Sequence, residues 1–311
     1  MKILSKCFRK ILQFFGLEKQ VRELYKHSIY IEPIWKLKKP FIGKKVGLKE
    51  INGFKMCLNL FESGIQKDLW IHGERESESL EILFSELEEG MSCLDIGSNI
   101  GYYALNESSI VGEEGRVTAI EPLSPCLQIL KKNIEINNIE NIEIQNYAIT
   151  KDTKDVEMLI EREVNRSRVI NNRNNLNENT VEVEGKKLTE VVENSPDFIR
   201  MDLEGYESII IDQIFELNLD GLLLLIELHP KKMKRNYGVE PIEFWNKLVG
   251  SNLHLKYIIQ HGDRIQPSYF LRKSHPPRKI EKIDLTIEEC MEKDIIPHQS
   301  ERAYRAFLEI K

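Results

Sequence analysis

Residues 92–105 read SCLDIGSNIGYYAL, and residues 116–125 read RVTAIEPLSP. Ser92–Ile96 is a short apolar run that ends in Asp95-Ile96-Gly97, as a buried parallel strand does. A helix is expected to follow from near Asn99. Arg116–Ile120 is a second such run, closed by Glu121-Pro122. Ser124 and Pro125 suit the cap and first position of another helix, with Leu127, Leu130 and Ile134 as its buried face. Residues 141–148 read as a third strand, 198–203 as a fourth and 221–228 as a fifth. This alternation predicts a doubly wound α/β sheet.

Beyond these runs, residues 155–160 and 180–184 read as two extra strands. Between them lies a stretch with seven asparagines from Asn165 to Asn179, and with Arg162, Arg166, Arg168 and Arg173. Two readings stand for it. It is a lid whose Arg166 and Arg168 meet a phosphate or carboxylate on an acceptor, or it is a solvated loop of low complexity. Residues 252–260 and 265–272 are expected to pair as a final antiparallel hairpin through His261-Gly262-Asp263. Upstream, Leu80, Leu83, Phe84 and Leu87 fall at helical spacing within 74–89, and Gly90 is a plausible stop. Residues 36–73 alternate short apolar pieces with glycines, the pattern of short strands and turns. At the head, Ile3, Leu4, Cys7, Phe8, Ile11, Leu12 and Phe15 make an apolar stripe on a basic helix. Such a helix lies on a membrane surface or a partner, or it packs on its own domain.

The chain has 311 residues, enough for one large domain or two modest ones. With 41% apolar and 30% charged residues, it is expected to be soluble and globular. Its longest apolar run, residues 222–226, falls far short of the roughly 18 a spanning helix needs. Polar residues break the apolar start, so no cleaved signal is expected. The five cysteines are Cys7, Cys57, Cys93, Cys126 and Cys290. They are odd in number and form no C-x-x-C pair. That argues against a disulfide framework or zinc ribbon and predicts reduced thiols in a cytoplasmic protein. The net charge of -6 is unevenly spread. Residues 1–50 hold 13 Lys/Arg and four Asp/Glu, a net of +9, and the rest hold 31 and 46, a net of -15. The acidic body speaks against a nucleic-acid partner. The basic head leaves peripheral membrane contact through residues 1–16 open.

In open α/β sheets, ligands bind at the carboxyl ends of the strands near the switch point. The strand ends here carry Asp95-x-Gly97-x-Asn99-x-Gly101, then Glu121, then Ala148, then Asp202-Leu203-Glu204-Gly205, then Glu227-Leu228-His229-Pro230. Gly97 permits a tight turn, and Gly101 is expected to let the backbone approach a ligand. The helix N-terminus behind them suits a carboxylate. Glu121 is placed to accept hydrogen bonds from a ribose diol. The spacing is G-x-x-x-G rather than G-x-G-x-x-G, and Asp95 is expected to repel a pyrophosphate and to suit an amino group. S-adenosylmethionine carries a ribose, an ammonium, a carboxylate and a sulfonium, and it meets these demands together. Bland readings stand beside this one: Asn99 only caps its helix, and Ala148 is only a small core residue.

Four segments, in order, resemble the FkbM family of S-adenosylmethionine-dependent methyltransferases. They are Cys93–Leu105 (CLDIGSNIGYYAL), Ala119–Pro122 (AIEP), Phe198–Glu207 (FIRMDLEGYE) and Ile226–His229 (IELH). The resemblance implies a class I methyltransferase fold, a Rossmann-like sheet of seven strands with the last antiparallel. It implies O-methylation, often of a sugar hydroxyl in a glycan or glycosylated metabolite. It assigns the methionine end of the cofactor to Asp95, Gly97, Asn99 and Gly101, the ribose to Glu121, the adenine flank to Asn146 through Ala148, and the methyl donor's face to Asp202. Tyr206 is bulkier than the small residue usual in the family. The resulting division is an N-terminal extension over 1–73, a methyltransferase domain over 74–274 and a C-terminal extension over 275–311.

Methyl transfer needs an acceptor oxygen in line with the methyl group, and positioning supplies roughly 7–11 kcal/mol of the barrier. A base adds about 10²–10⁴-fold. The candidates are Asp202, Glu204, Glu227 and His229. His229 titrates near neutrality, or it is a rim histidine bonded to a carboxylate neighbour. Asp202, Glu204 and Glu227 offer oxygen ligands to a divalent cation, although no spacing demands a metal. Glu207 is expected only to complement a helix dipole. A base-methylating enzyme would carry an Asn/Asp-Pro-Pro-aromatic turn in place of Asp202-Leu203-Glu204-Gly205. A nicotinamide oxidoreductase is disfavoured by the glycine spacing. A non-catalytic module that binds a nucleoside or a partner remains the main alternative to a carbohydrate O-methyltransferase.

Overall fold

A computed structural model of the chain describes residues 46–60, 62, 64–161, 167–170, 179–192, 195–217, 220–261, 278–297, 300 and 302–311. The basic helix expected at the head, Cys7, Arg162, Arg166, Arg173 and the strand expected over 265–272 lie outside the described residues. The chain divides into two units, residues 1–75 with 262–278 and residues 76–261 with 279–311.

In the first unit, β1 (Val46–Ile51) and β2 (Phe54–Asn59) form an antiparallel hairpin. Its turn is Asn52-Gly53, with φ of 51° and 84°, the pair of positive values that matches the twist of the flanking strands. Next comes α1 (Ile65–His72), a helix where short strands and turns were expected. The Lys49 ammonium donates to the Leu69 and Trp70 carbonyls at 3.0 and 2.7 Å, placing a cation at the helix C-terminus.

In the second unit, α2 (Ser77–Glu86) buries Leu80, Ile82 and Leu83. Phe84, expected on that face, is 60% exposed, because Ile82 takes the inward position instead. The alternating part follows with β3 (Ser92–Ile96), α3 (Tyr102–Val111), β4 (Arg116–Ile120), α4 (Ser124–Ile136) and β5 (Ile142–Gln145). Then come five short strands: β6 (Ala148–Ile149), β7 (Val156–Leu159), β8 (Arg168–Val169), β9 (Thr180–Val183) and β10 (Gly185–Lys186). The chain continues with β11 (Phe198–Met201), α5 (Glu207–Ile210), β12 (Leu223–Leu228) and α6 (Pro241–Leu248). It closes with β13 (Leu253–His261), β14 (Arg278–Thr286), α7 (Ile287–Glu292) and β15 (Tyr304–Ile310).

The main sheet runs β5-β4-β3-β11-β12-β15-β13-β14. The first five strands in that order are parallel, and β15 enters antiparallel between β12 and β13. Seven strands thus follow the doubly wound arrangement that the resemblance implies, antiparallel strand included, and β14 adds an eighth at the edge. The antiparallel strand is Tyr304–Ile310, not the hairpin partner expected at 265–272. Tyr304, Ala306, Phe307 and Leu308 are buried, so an apolar run is needed in that slot on both faces. The last residues, set apart by sequence as an extension, therefore lie inside the sheet.

Ile96, Ile120, Ile199, Met201, Leu224 and Ile226 are buried along the parallel strands. Each such side chain contributes about 1.5–3 kcal/mol relative to exposure. The two extra strands expected around the Asn-rich stretch are β7 and β9, which pair with each other and with β8 in a small antiparallel sheet. The cap of α4 also differs from expectation. Leu123 is the cap, Ser124 is already helical, and the Glu121 carboxylate accepts the Leu123 N–H at 2.8 Å. Among the described residues, Cys57, Cys93, Cys126 and Cys290 form no disulfide with one another. No described helix is long and apolar enough to cross a membrane.

Candidate active site

The loop from β3 to α3 is shaped by backbone that L side chains rarely adopt. Gly97 has φ of 86°, and a Cβ there would stand 2.5 Å from the Asp202 carbonyl oxygen. The end of β11 therefore crowds this turn, and only glycine fits. Gly101 has φ of 87°, but a Cβ on it would meet Leu130 Cδ1 at 2.5 Å. The requirement at Gly101 comes from packing against α4, not from the ligand approach expected of it. Asn99 also has a positive φ, 53°.

Glu121 braces this loop. Its Oε2 accepts the Asn99 N–H at 2.9 Å, and its Oε1 accepts from Leu123. The Gly97 and Ser98 N–H groups donate to the Ile120 carbonyl at 3.0 and 3.1 Å. Burial pushes the Glu121 carboxyl up to about 7, against the pull of its two N–H donors. The Asn146 side-chain amide donates to the Glu121 and Pro122 carbonyls at 3.1 and 3.0 Å. Ala148 is buried in β6 and donates its N–H to the Glu184 carbonyl.

Asp95 does not stand bare at the rim. It is wholly buried, one residue short of the strand end, and its Oδ1 accepts from Arg200 Nη1 at 2.8 Å. Asp95 and Arg200 are register partners on adjacent strands. Arg200 Nη2 reaches Asp202 Oδ2 at 3.1 Å, and its guanidinium lies 3.9 Å from the Tyr103 ring centroid. Arg200 balances the charge that was expected to repel a pyrophosphate, so that argument falls. Asp95 Oδ2 keeps no hydrogen-bond partner among the described residues. Glu107 lies buried nearby. Burial first, and then the Asp95 charge, push its carboxyl far above the usual carboxylate range.

A second cluster surrounds His229, the residue after β12. Its Nε2 lies 3.3 Å from Glu204 Oε2 and 3.9 Å from Glu227 Oε1, and its Nδ1 lies 3.8 Å from Glu207 Oε1. Burial opposes the imidazolium, but the ring of acids overcomes it and holds His229 at about 9. Glu204 is paired with Lys232, and Glu227 with Arg305. Arg305 also bridges to Glu76 Oε1 at 2.8 Å, and the Tyr103 hydroxyl donates to Glu76 Oε2 at 2.7 Å. Asp202, with its side chain 27% exposed, is the most open of these acids. Burial and the Glu227 charge push it up to about 6, against Arg200 and His229. Glu207 is fully buried and accepts the Leu203 N–H at 2.6 Å, a turn-closing role that a dipole argument does not describe.

The candidate residues thus gather in two adjoining groups. Gly97, Asn99 and Glu121 form one, and Asp202, Glu204, Glu227 and His229 form the other. Arg200 spans them, since its Nη1 also lies 3.5 Å from the Gly97 carbonyl. Arg168, expected to reach an acceptor, is paired with Glu161 instead. Tyr206 is buried, with its ring edge-on to Tyr237 at 5.3 Å. Sequence reasoning missed Arg200, Arg305 and Glu76. A signal was present for Arg200, a lone cation in the apolar run of β11, because such a cation needs a buried anion, although nothing local names its partner.

Over 67 residues the chain is 42% identical to the protein-L-isoaspartate O-methyltransferase of Thermotoga maritima, covering 21% of this chain and 21% of that protein. The chain thus spans about a fifth of that curated relative's length. Among solved structures, it is similar to the tRNA m1G37 methyltransferase of M. jannaschii, at 11% identity and a TM-score of 0.45, covering 86% of this chain and 58% of that one. It is also similar to M. jannaschii TYW2 in complex with AdoMet, at 13% identity and a TM-score of 0.43, covering 86% and 88%. The family described as the Methyltransferase FkbM domain matches residues 95–290, well over half of the sequence. The chain belongs to the FkbM family of S-adenosylmethionine-dependent methyltransferases.

Proposed function

We propose that this protein O-methylates a sugar hydroxyl in a glycan or glycosylated metabolite. The observation that carries the reading is the junction of two groups: a glycine turn braced by Glu121, and an acid–imidazole cluster beginning at Asp202. S-adenosylmethionine supplies a methyl group made electrophilic by its sulfonium. The donor set fits that cofactor. Each Glu121 oxygen takes one N–H, which leaves lone pairs for the two hydroxyls of a ribose. Asp95 Oδ2, a buried acceptor without a partner, suits an ammonium donor. Gly97, Asn99 and Gly101 lead into the N-terminus of α3, whose N–H groups suit a carboxylate. Asn146 and Ala148 flank the adenine in this reading.

The same cluster supports a reading of where the proton goes. Lys232 engages Glu204, and Arg305 engages Glu227. His229 already carries its proton at neutral pH, held by the acids around it. Asp202 is the remaining candidate, ionised at pH 7 and more open than the others, and it takes the acceptor's hydroxyl proton as the methyl group moves. Arg200 positions Asp202 against the glycine turn.

The pH dependence follows with a definite sign. Both Asp202 and Glu121 act as carboxylates, and burial raises them to about 6 and about 7. Therefore kcat/KM is expected to rise with pH through that interval, and a pH–rate profile that stays flat from pH 5 to 8 would remove both residues from the reaction. The substrate class is tested by radiolabelled methyl transfer to a panel of glycans, nucleotide sugars, protein and tRNA. Label in the carbohydrates supports the reading. Label confined to protein or tRNA rejects the sugar while keeping the methyl transfer.

A further inference from the structure

Asp202, Glu207 and His229 each bring one donor atom to a common point, with all three atoms within 4.8 Å of one another. They come from the end of β11, the start of α5 and the residue after β12. Beside the acids the charge here is that of the His229 proton, which a bound divalent ion displaces, and the neighbouring cations are engaged by other acids. Arg200 is shared with Asp95, Arg305 is shared with Glu76, and Lys232 is engaged by Glu204. Glu207 is completely buried, yet its Oε2 has no hydrogen-bond partner among the described residues. The Nδ1 of His229, on a side chain 11% exposed, has none either. A buried carboxylate oxygen in this position is costly unless it meets a cation.

We propose that Asp202, Glu207 and His229 form a binding site for a divalent cation of the Mn2+ type, which holds the acceptor through two of its oxygens. One imidazole and two carboxylates suit a first-row divalent ion that prefers nitrogen and oxygen donors. Three protein ligands leave coordination positions open, and a vicinal diol or hydroxy acid fills two of them. The set differs from Asp202, Glu204 and Glu227, the oxygen ligands read from sequence, because Lys232 and Arg305 engage two of those. The cation's task rests on the methyl-transfer reading, whereas its binding does not.

The test uses the full chain, stripped with a chelator and titrated with MnCl2. Free Mn2+ is followed by electron paramagnetic resonance, and the bound ion by pulsed measurement of nitrogen coupling. One Mn2+ per chain with coupling to a single imidazole is expected. His229→Gln is expected to abolish that coupling, and Glu207→Gln to weaken Mn2+ binding by about 100-fold or more. S-adenosylhomocysteine affinity, measured on the same samples, is expected to stay within a few-fold and so reports folding. Should Glu207→Gln lose that affinity, Asp202→Asn, at a more open position, takes its place. No stoichiometric Mn2+ in the unsubstituted chain, or a nitrogen coupling that survives His229→Gln, overturns the site. Normal Mn2+ binding without any methyl transfer overturns the proposed function alone, and methyl transfer without Mn2+ binding overturns the cation alone.

Discussion

Asp202→Asn is expected to lower methyl transfer by about 10²–10⁴-fold, the usual contribution of a positioned base. The substitution keeps the shape and the hydrogen bond from Arg200 Nη2, which now lies at 3.1 Å, because an amide oxygen still accepts. What it removes is an oxygen that takes a proton and, in the proposed cation site, one ligand, so transfer is measured with and without added Mn2+ to separate the two. S-adenosylhomocysteine affinity is expected to change little, since Glu121 and the glycine turn stand on other strands. The expected signature is therefore a fall in kcat with cofactor binding intact, measured by single-turnover transfer and by calorimetry. A fall below tenfold would mean that positioning alone carries the reaction and that the hydroxyl proton goes elsewhere. His229→Gln distinguishes the neighbouring candidate. Because His229 is held at about 9 by its acids, it is protonated at pH 7, and its loss is not expected to mimic Asp202→Asn in a pH profile.

Arg200→Met is expected to destabilise the fold by about 3–5 kcal/mol, the cost of removing one partner from a buried ion pair. Arg200 is the cation for both Asp95 and Asp202, and Asp95 is wholly buried. Without Arg200, two carboxylates and the buried Glu107 side chain would share a low-dielectric space. A fall in Tm on the order of 10 °C in thermal unfolding corresponds to that loss. The survivors are expected to bind cofactor poorly, because Arg200 also approaches the Gly97 carbonyl and fixes the glycine turn. Arg200→Lys keeps the charge but not the two-pronged bridge and is expected to lose less. A change under about 1 kcal/mol for Arg200→Met would place the pair among ion pairs that break even with apolar replacements.

The parallel half of the sheet was legible in the sequence for a simple reason. Strands covered on both faces are apolar runs, and each here is followed by a polar residue or a glycine at its carboxyl end. Asp95, Glu121 and Asp202 drew attention because they interrupt or close such runs. The antiparallel half was not legible. Tyr304–Ile310 carries Arg305 and Glu309 among apolar residues and lies far in sequence from its partners β12 and β13, so no local pattern announces it. The charged lattice was equally hidden. Arg200 and Asp95 are 105 residues apart, and Arg305 and Glu227 are 78. Only strand register brings them together, and it turns an apparent bare acid into a balanced pair. Gly101 shows the same limit. A glycine at a loop–helix junction reads as room for a ligand, but the atom that fills the space is Leu130 Cδ1. Local chemistry marked where the site lies, whereas which acids stay available depended on cations recruited from distant strands.

A cofactor that carries a ribose and a positive sulfonium is expected at the glycine turn. Calorimetry with S-adenosylmethionine and with NAD measures this most directly. The expected result is binding of S-adenosylmethionine at one per chain and no binding of NAD. Glu121→Ala is expected to weaken S-adenosylmethionine binding by about 10–100-fold, the worth of hydrogen bonds to a charged acceptor. Binding of NAD without S-adenosylmethionine, or an affinity unchanged in Glu121→Ala, would contradict it.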